Sequence, residues 1–261
     1  MATNPDMLHQ SSLPAQDRFS ALFAGLRFVV LDELHTYRGV FGGHVANVLR
    51  RLWRVCARYG SRPQIIACSA TIANPGGLAT ALTGREHFEL ITKDTSPKGP
   101  RSFVIVNPTV TDEITGVRRD YLKVSRVVTN ELRKAGVGTL AFCRTRKAVE
   151  LLTRYLREDE ALERVGVPTS DGPIAGPKDP GARAAAHSNV RGYRGGYLPD
   201  RRREVEQALR SGEAKVVAAT NALELGIDIG GVDAVVLAGY PGTRAATWQR
   251  AGRAGRRGQP A

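Results

Sequence analysis

The stretch RFVVLDELH, residues 27–35, reads as a buried strand that ends in two carboxylates. Its apolar run is continuous rather than alternating, which suits a strand covered by helices on both faces. Four further runs share this character: PQIIACSAT (63–71), GTLAFCR (138–144), AKVVAAT (214–220) and VDAVVLAG (232–239). Between and after them, amphipathic stretches predict helices at about 42–59, 76–84, 118–135, 146–158, 199–211 and 244–254. Strands alternating with helices imply an α/β fold built on parallel sheets.

Two segments interrupt the rhythm. KDTSPKGPRS (93–102) is polar and bears Pro and Gly, so it is expected to link two α/β domains, 1–92 and 103–261. The stretch 167–187 is richer still in Gly and Pro and reads as a surface loop within the second domain. The 261 residues are 42% hydrophobic, enough for a buried core and too apolar for a disordered chain. Lys+Arg 38 against Asp+Glu 25 leaves a formal charge of +13, which favours a polyanionic partner, nucleic acid before membrane. Cys56, Cys68 and Cys143 stand far apart with no C-x-x-C, so they read as reduced core residues rather than a zinc site or disulfide framework. No apolar run approaches a membrane span and no signal-peptide layout opens the chain, so a cytoplasmic location is expected.

Open α/β sheets bind ligands beyond the carboxyl ends of their strands, where Asp32 and Glu33 fall. Adjacent carboxylates there suit Mg²⁺-nucleotide chemistry, one holding the metal and the next taking a proton from attacking water. A DE pair after a strand is also an ordinary solvated turn; His35 two residues on, and SAT (69–71) at the end of the next strand, add the weight. Near the other end, QRAGRAGRRG (249–258) reads either as a flexible basic tail or as a helix. A helix places Gln249, Arg253 and Arg256 on one face, where two guanidiniums suit a phosphoryl group in transfer. ATNALELGIDIGG (219–231) leaves a strand through Thr220 and reaches Gly226 and Asp228, residues suited to a phosphate or a ribose; a capped helix start and a turn are the plain alternative.

DELH, SAT, FCRTRKAVELL, YRGGYLPDRRREVEQALRSG, ATNALELGIDI and QRAGRAGRRG occur in the order and approximate spacing of a superfamily-2 DExH-box helicase core. Within that superfamily, TNPDMLH, SPKG, YRGGYLP and AGYPGTRAATWQRAGRAGRRGQ resemble the bacterial mitomycin-repair-type and RecQ-4-like DNA helicases. The resemblance implies two RecA-like parallel-sheet domains of the P-loop NTPase helicase core, ATP and Mg²⁺ as cofactors, and single-stranded DNA, or a duplex with a single-stranded tail, as partner. It implies that Asp32 orders Mg²⁺, Glu33 activates water, and His35 with Gln249 couples the nucleotide to the other domain. Ser69 and Thr71 would link hydrolysis to strand movement, and Arg253 and Arg256 would be arginine fingers, with Gly226 and Asp228 beside the ATP. Thr3, Arg144 and Thr220 would touch the nucleic-acid backbone. A role in DNA repair, with 3′ to 5′ unwinding, also follows only from the resemblance.

The family's phosphate-cradling loop, G-x-x-x-x-G-K-[ST], has no counterpart, since no Gly-Lys dipeptide occurs in the chain. Residues 1–92 are therefore expected to be the carboxy-terminal part of the first RecA-like domain. The strands near 27–33 and 63–69 are then expected to expose apolar faces, and the isolated chain to hydrolyse ATP little or not at all. A non-hydrolysing nucleic-acid-binding remnant, an RNA helicase and a restriction-type translocase fragment are the alternatives.

Overall fold

The computed structural model describes residues 1–70, 72–93, 95, 99–166, 188–223 and 232–255. It divides into two compact units, Met1–Asp94 and Thr95–Ala261. Both have the α/β character expected from the apolar runs, with parallel pairing of β-strands.

In the first unit, short helices α1 (Pro5–Met7) and α2 (Ser20–Ala24) precede β1 (Phe28–Leu31), α3 (Gly39–Arg58), β2 (Gln64–Ala67) and α4 (Pro75–Thr83). β1 and β2 pair in parallel, Phe28 opposite Gln64 and Leu31 opposite Ala67. The long α3 buries Val45, Ala46, Leu49, Leu52 and Cys56, a spacing that keeps one stripe against the sheet. α4 starts where the Asn74 side chain accepts the Gly77 N–H at 3.0 Å with Pro75 in the first turn, and it stops at left-handed Gly84.

All of this packing lies on one side of the strands. Val29, Leu31, Ile65 and Ala67 join the core with α3 and α4. On the opposite face Phe28 is 48% exposed, Val30 61% and Ile66 44%, as expected for strands with one face uncovered. Cys68 follows in the same alternation and is exposed. The expectation that all three cysteines are core residues is corrected here: Cys56 and Cys143 are buried, whereas Cys68 falls on the bare side.

The second unit opens with an unforeseen hairpin, β3 (Val110–Asp112) and β4 (Val117–Arg118), whose turn is held by Asp112 accepting from Ile114 N–H at 2.9 Å. Then come α5 (Tyr121–Lys134), β5 (Thr139–Cys143), α6 (Arg146–Arg164), β6 (Val190–Tyr193), α7 (Pro199–Ser211), β7 (Val216–Ala219), β8 (Ala234–Ala238) and α8 (Arg244–Ala251). The sheet runs β6-β7-β5-β8, every pair parallel. Leu140, Phe142, Val217 and Ala219 face Val205, Ala208 and Leu209 of α7. Their neighbours Ala141, Cys143, Val216 and Ala218 face Leu122 of α5 and Val149, Leu152 and Leu156 of α6. Covered on both sides, each large apolar side chain here contributes about 1.5–3 kcal/mol of burial.

α5 and α6 are also tied by charge. Arg126 donates twice to Asp159, from Nε at 2.8 Å and from Nη2 at 2.5 Å, and Arg133 pairs with Glu163. Several predicted helix ends move: α6 continues to Arg164 rather than stopping near 158, and α3 starts at Gly39 rather than 42. The run 118–135 begins at Tyr121, because Asp120 caps it by accepting from Leu122 N–H at 2.8 Å while Arg118 belongs to the hairpin. The run 244–254 ends at Ala251, for the reason given below. The stretch 167–187 lies outside the described residues.

Candidate functional site

In the first unit the parallel ladder carries two loops forward together. Cys68 N–H donates to Leu31 O at 2.8 Å, and Leu34 N–H donates to Cys68 O at 2.9 Å. The segment after β1 is thereby stitched to the segment after β2. Asp32 and Glu33 stand at this carboxyl edge, and Asp32 Oδ1 accepts the Glu33 N–H at 2.9 Å. Glu33 is left-handed, φ 52° and ψ 44°, a conformation that costs a non-glycine residue about 1–3 kcal/mol. The tight turn Leu34–Thr36 that follows holds it, with Thr36 N–H and Oγ1 each donating to Glu33 O at 2.8 Å and Leu34 buried beneath.

His35 links the two loops. Its Nδ1 accepts the Ala70 N–H at 3.3 Å and lies 3.5 Å from Glu33 Oε2. The two contacts need opposite states of one atom: lone pair toward Ala70, or proton toward Glu33. A ring with its proton on Nε2 satisfies the Ala70 contact, and one with its proton on Nδ1 satisfies the Glu33 contact. Sequence reasoning passed over Tyr37, whose phenol is raised above its ordinary pKa by burial first and then by the charges of Asp32 and Glu33. Gly42 lies under it; a Cβ there would stand 2.5 Å from Tyr37 O, so the first turn of α3 packs directly on the loop backbone.

Of the remaining first-unit candidates, Ser69 and Thr3 are exposed, as Asp32 is. Ser69 Oγ donates to Ala70 O at 2.9 Å, closing its own loop, and Thr71 lies outside the described residues. Thr3 is exposed, with Oγ1 3.4 Å from Asn4 O, just before α1.

In the second unit the candidates follow strand ends in the same way. Arg144 succeeds β5 and is exposed, its Cδ 3.5 Å from a Cβ built on Gly239 at the end of β8. Thr220 succeeds β7 and is buried; its N–H donates to Tyr193 O at 3.2 Å and its Oγ1 accepts the Ala222 N–H at 3.4 Å. Its hydroxyl therefore caps the short turn Asn221–Leu223. Gly226, Asp228 and Arg256 lie outside the described residues.

The helix expected to carry Gln249 and Arg253 on one face is shorter than that. α8 closes at Gly252, whose N–H donates to Trp248 O at 2.8 Å, and the next N–H groups turn back to Arg250 and Ala251 carbonyls. Ala254 then makes a parallel bridge with Val232, and Gly255, φ 64°, donates to Val232 O at 3.0 Å. Pairing with residue 232 outcompetes another helical turn, so Arg253 is a buried post-helix residue. Also missed was Arg250, buried with its guanidinium 5.3 Å from the Phe142 ring centroid. Burial pushes the neighbouring Cys143 thiol up to about 12, so it is inert packing.

Among the described residues no group of three or more His, Cys, Asp or Glu could hold a metal. One free carboxylate edge nevertheless suits Mg²⁺, which keeps most of its waters and takes one or two carboxylates with nucleotide phosphates. Asp32 offers that edge through Oδ2, since its Oδ1 is engaged by the Glu33 N–H. No described helix is long and apolar enough to cross a membrane.

Comparison with known proteins meets the geometry at both units. Residues 1–76 match the DEAD/DEAH box helicase family and residues 182–258 the helicase conserved C-terminal domain. The uncharacterized ATP-dependent helicase YprA of Bacillus subtilis is 44% identical over 98% of this chain and 31% of its own length. The ATP-dependent helicase HRQ1 of Saccharomyces cerevisiae is 38% identical over 98% of this chain and 22% of its own. Among solved structures, the DUF1998 helicase MrfA bound to DNA and AMPPNP superposes with a TM-score of 0.84 at 43% identity, covering 99% of this chain and 33% of that one. The Mycobacterium smegmatis helicase Lhr bound to ssDNA and AMP-PNP gives 0.70 at 26% identity, covering 97% and 30%. The chain thus spans about a third or less of the length of these relatives.

Proposed function

Because the chain belongs to the superfamily-2 helicases, we propose that it is part of an ATP-dependent DNA helicase that couples hydrolysis between two RecA-like domains, 1–92 and 103–261 with 93–102 between them, to movement along a strand. The observation that carries this reading is the stitching of the acidic loop to the following loop through Leu34, Cys68, His35 and Ala70. Such a joint can pass a change at a phosphate to the second loop, whose Ser69 and Thr71 are assigned to coupling.

In this reading Asp32 holds Mg²⁺, which when bound neutralises charge on the nucleotide phosphates. Glu33, fixed by its turn, takes the proton from the attacking water, and His35 with Gln249 senses the nucleotide. Ser69 and Thr71 couple, Arg253 and Arg256 offset charge on the transferring phosphoryl group, and Gly226 and Asp228 lie beside the ATP. Thr3, Arg144 and Thr220 follow the backbone of single-stranded DNA or of a tailed duplex, with Thr220 acting through the turn it caps. DNA repair in the cytoplasm is the setting this assigns, by similarity to helicases seen with DNA.

The 261-residue chain by itself contains no Gly-Lys dipeptide, which favours nucleic-acid binding without turnover as its behaviour alone. Hydrolysis assays on the chain with and without oligo-dT, alongside Glu33→Gln, test this. Background-level phosphate release from both proteins is expected; DNA-stimulated release that Glu33→Gln abolishes would refute inactivity of the chain. Matched DNA and RNA strands of equal length decide the substrate, and a clear preference for RNA would overturn the DNA assignment.

A further inference from the structure

The outward face of α3 carries a row of like charges. Arg50, Arg54 and Arg58 follow one another at i, i+4 and i+8, all exposed, and Arg62 continues the row past the end of the helix. Among the described residues no carboxylate lies within ion-pair distance of any of the four. Arg50 Nη1 donates to the neutral Asn47 Oδ1 at 3.4 Å, and Asp17 Oδ1 accepts the Tyr59 hydroxyl at 2.9 Å. Like charges four residues apart weaken a helix, so 50 with 54 and 54 with 58 are two unfavourable neighbours. A polyanion laid along the row offsets that repulsion.

The row stands apart from the acidic loop. α3 is about 30 Å long at about 1.5 Å per residue, and its first turn packs on that loop through Gly42. Its far end leads through Ser61, whose Oγ donates to Phe23 O at 2.6 Å, to the start of β2 at Gln64. The arginines occupy the second half of the helix, toward the amino ends of the strands, whereas Asp32 and Glu33 follow the carboxyl end of β1. The same surface offers no ring for stacking. Between 47 and 62 the other exposed residues are Asn47, Ala57 and Gly60. Trp53 is held by its Nε1–H donating to Thr83 O at 2.9 Å, and Tyr59 stacks on Phe23 with centroids 6.2 Å apart. Single strands are gripped through aromatic rings on which their bases stack. A duplex turns its bases inward and presents phosphates, which guanidiniums match. Spaced about 6 Å along the axis, the three arginines span about 12 Å of such a backbone.

We propose that Arg50, Arg54 and Arg58 of α3 form a docking surface for the backbone of double-stranded DNA, the duplex part of a tailed substrate. The proposal rests on the reading that the chain acts on DNA. It gives the duplex a face of the first unit that none of the residues assigned above shares.

The test is fluorescence anisotropy of the full chain with a labelled blunt duplex and with labelled oligo-dT, from low to moderate salt, thermal melting of each variant being followed alongside. For the duplex, the triple variant Arg50→Gln, Arg54→Gln, Arg58→Gln should make the slope of log affinity against log salt shallower by about 2.7, at about 0.9 per phosphate contact. For oligo-dT the slope should not change. Arg54→Gln alone should make the duplex slope shallower by about 0.9. The triple variant Arg50→Lys, Arg54→Lys, Arg58→Lys should restore it, since a point cation still meets a phosphate. The glutamine variant should melt no lower than wild type, because the like-charge neighbours are gone. An unchanged duplex slope in that variant, with oligo-dT still bound, would overturn this surface while leaving the proposed function standing. Wild type that binds oligo-dT and no duplex would do the same. An equal loss for oligo-dT would overturn the duplex assignment, and poly-glutamate that outcompetes a duplex of equal charge would give the row to an acidic peptide instead. A wild-type chain that binds neither DNA would overturn both readings.

Discussion

The two sheets differ in how they are covered. In the second unit β5 and β7 are buried on both faces by α5, α6 and α7. In the first, β1 and β2 show one face to α3 and α4 and leave Phe28, Val30 and Ile66 bare. Both sheets hold candidate residues at the carboxyl ends of their strands, so the site geometry of an α/β fold forms whether or not both faces are packed. Stability, however, must be distributed unequally. The bare apolar strip is also a liability for self-association.

Substitutions across this divide sharpen it. Leu152→Ala, at a fully buried position of α6, is expected to cost the second unit about 2–5 kcal/mol in chemical denaturation. A cost under about 0.5 kcal/mol would mean that the two-sided packing is not what holds the sheet. In the first unit, Gly42→Ala forces a Cβ against Tyr37 O and is expected to cost about 1–3 kcal/mol, with a change in Tyr37 fluorescence as the acidic loop shifts. An unperturbed variant would show that the loop is not seated on α3.

A smaller effect comes from alkali. Tyr193 is pushed from 10.0 up to about 12, by burial first and by its hydrogen bond to Glu206 second. Its folded-state pKa exceeds the unfolded one, so its contribution is complete below pH 10 and is lost as pH rises toward 12. Denaturation curves should therefore show wild type losing stability relative to Tyr193→Phe across that window; parallel curves would contradict it. Smallest of all, Val30→Thr on the bare face should change stability by no more than about 0.5 kcal/mol while reducing light scattering at high concentration. A large loss would show that the face is covered.

Legibility in the sequence followed the same physics. Continuous apolar runs announced β1, β2, β5, β7 and β8, although β1 and β2 are covered on one face alone. β6 was missed: VRGY carries an arginine and a glycine and follows a Gly/Pro-rich stretch, yet Val190 and Tyr193 are fully buried. Asp32, Glu33 and His35 were legible because they are adjacent, whereas the left-handed Glu33 and the His35–Ala70 contact depend on a second loop 35 residues away. The end of α8 was misjudged because the competing partner, residue 232, is local in space and not in sequence. YRGGYLP served as a motif for family assignment; the tether of Tyr197 to Glu150 and the guanidiniums of Arg194 and Arg201 over its ring are tertiary.

Hydrogen–deuterium exchange of the chain with and without saturating oligo-dT at low salt tests the account most directly. Added strand is expected to slow amide exchange around Arg144–Ala148 and Thr220–Leu223 in the well-covered unit, and to leave Phe28–Leu31 unchanged. Bound strand with no added protection in either second-unit segment would contradict it.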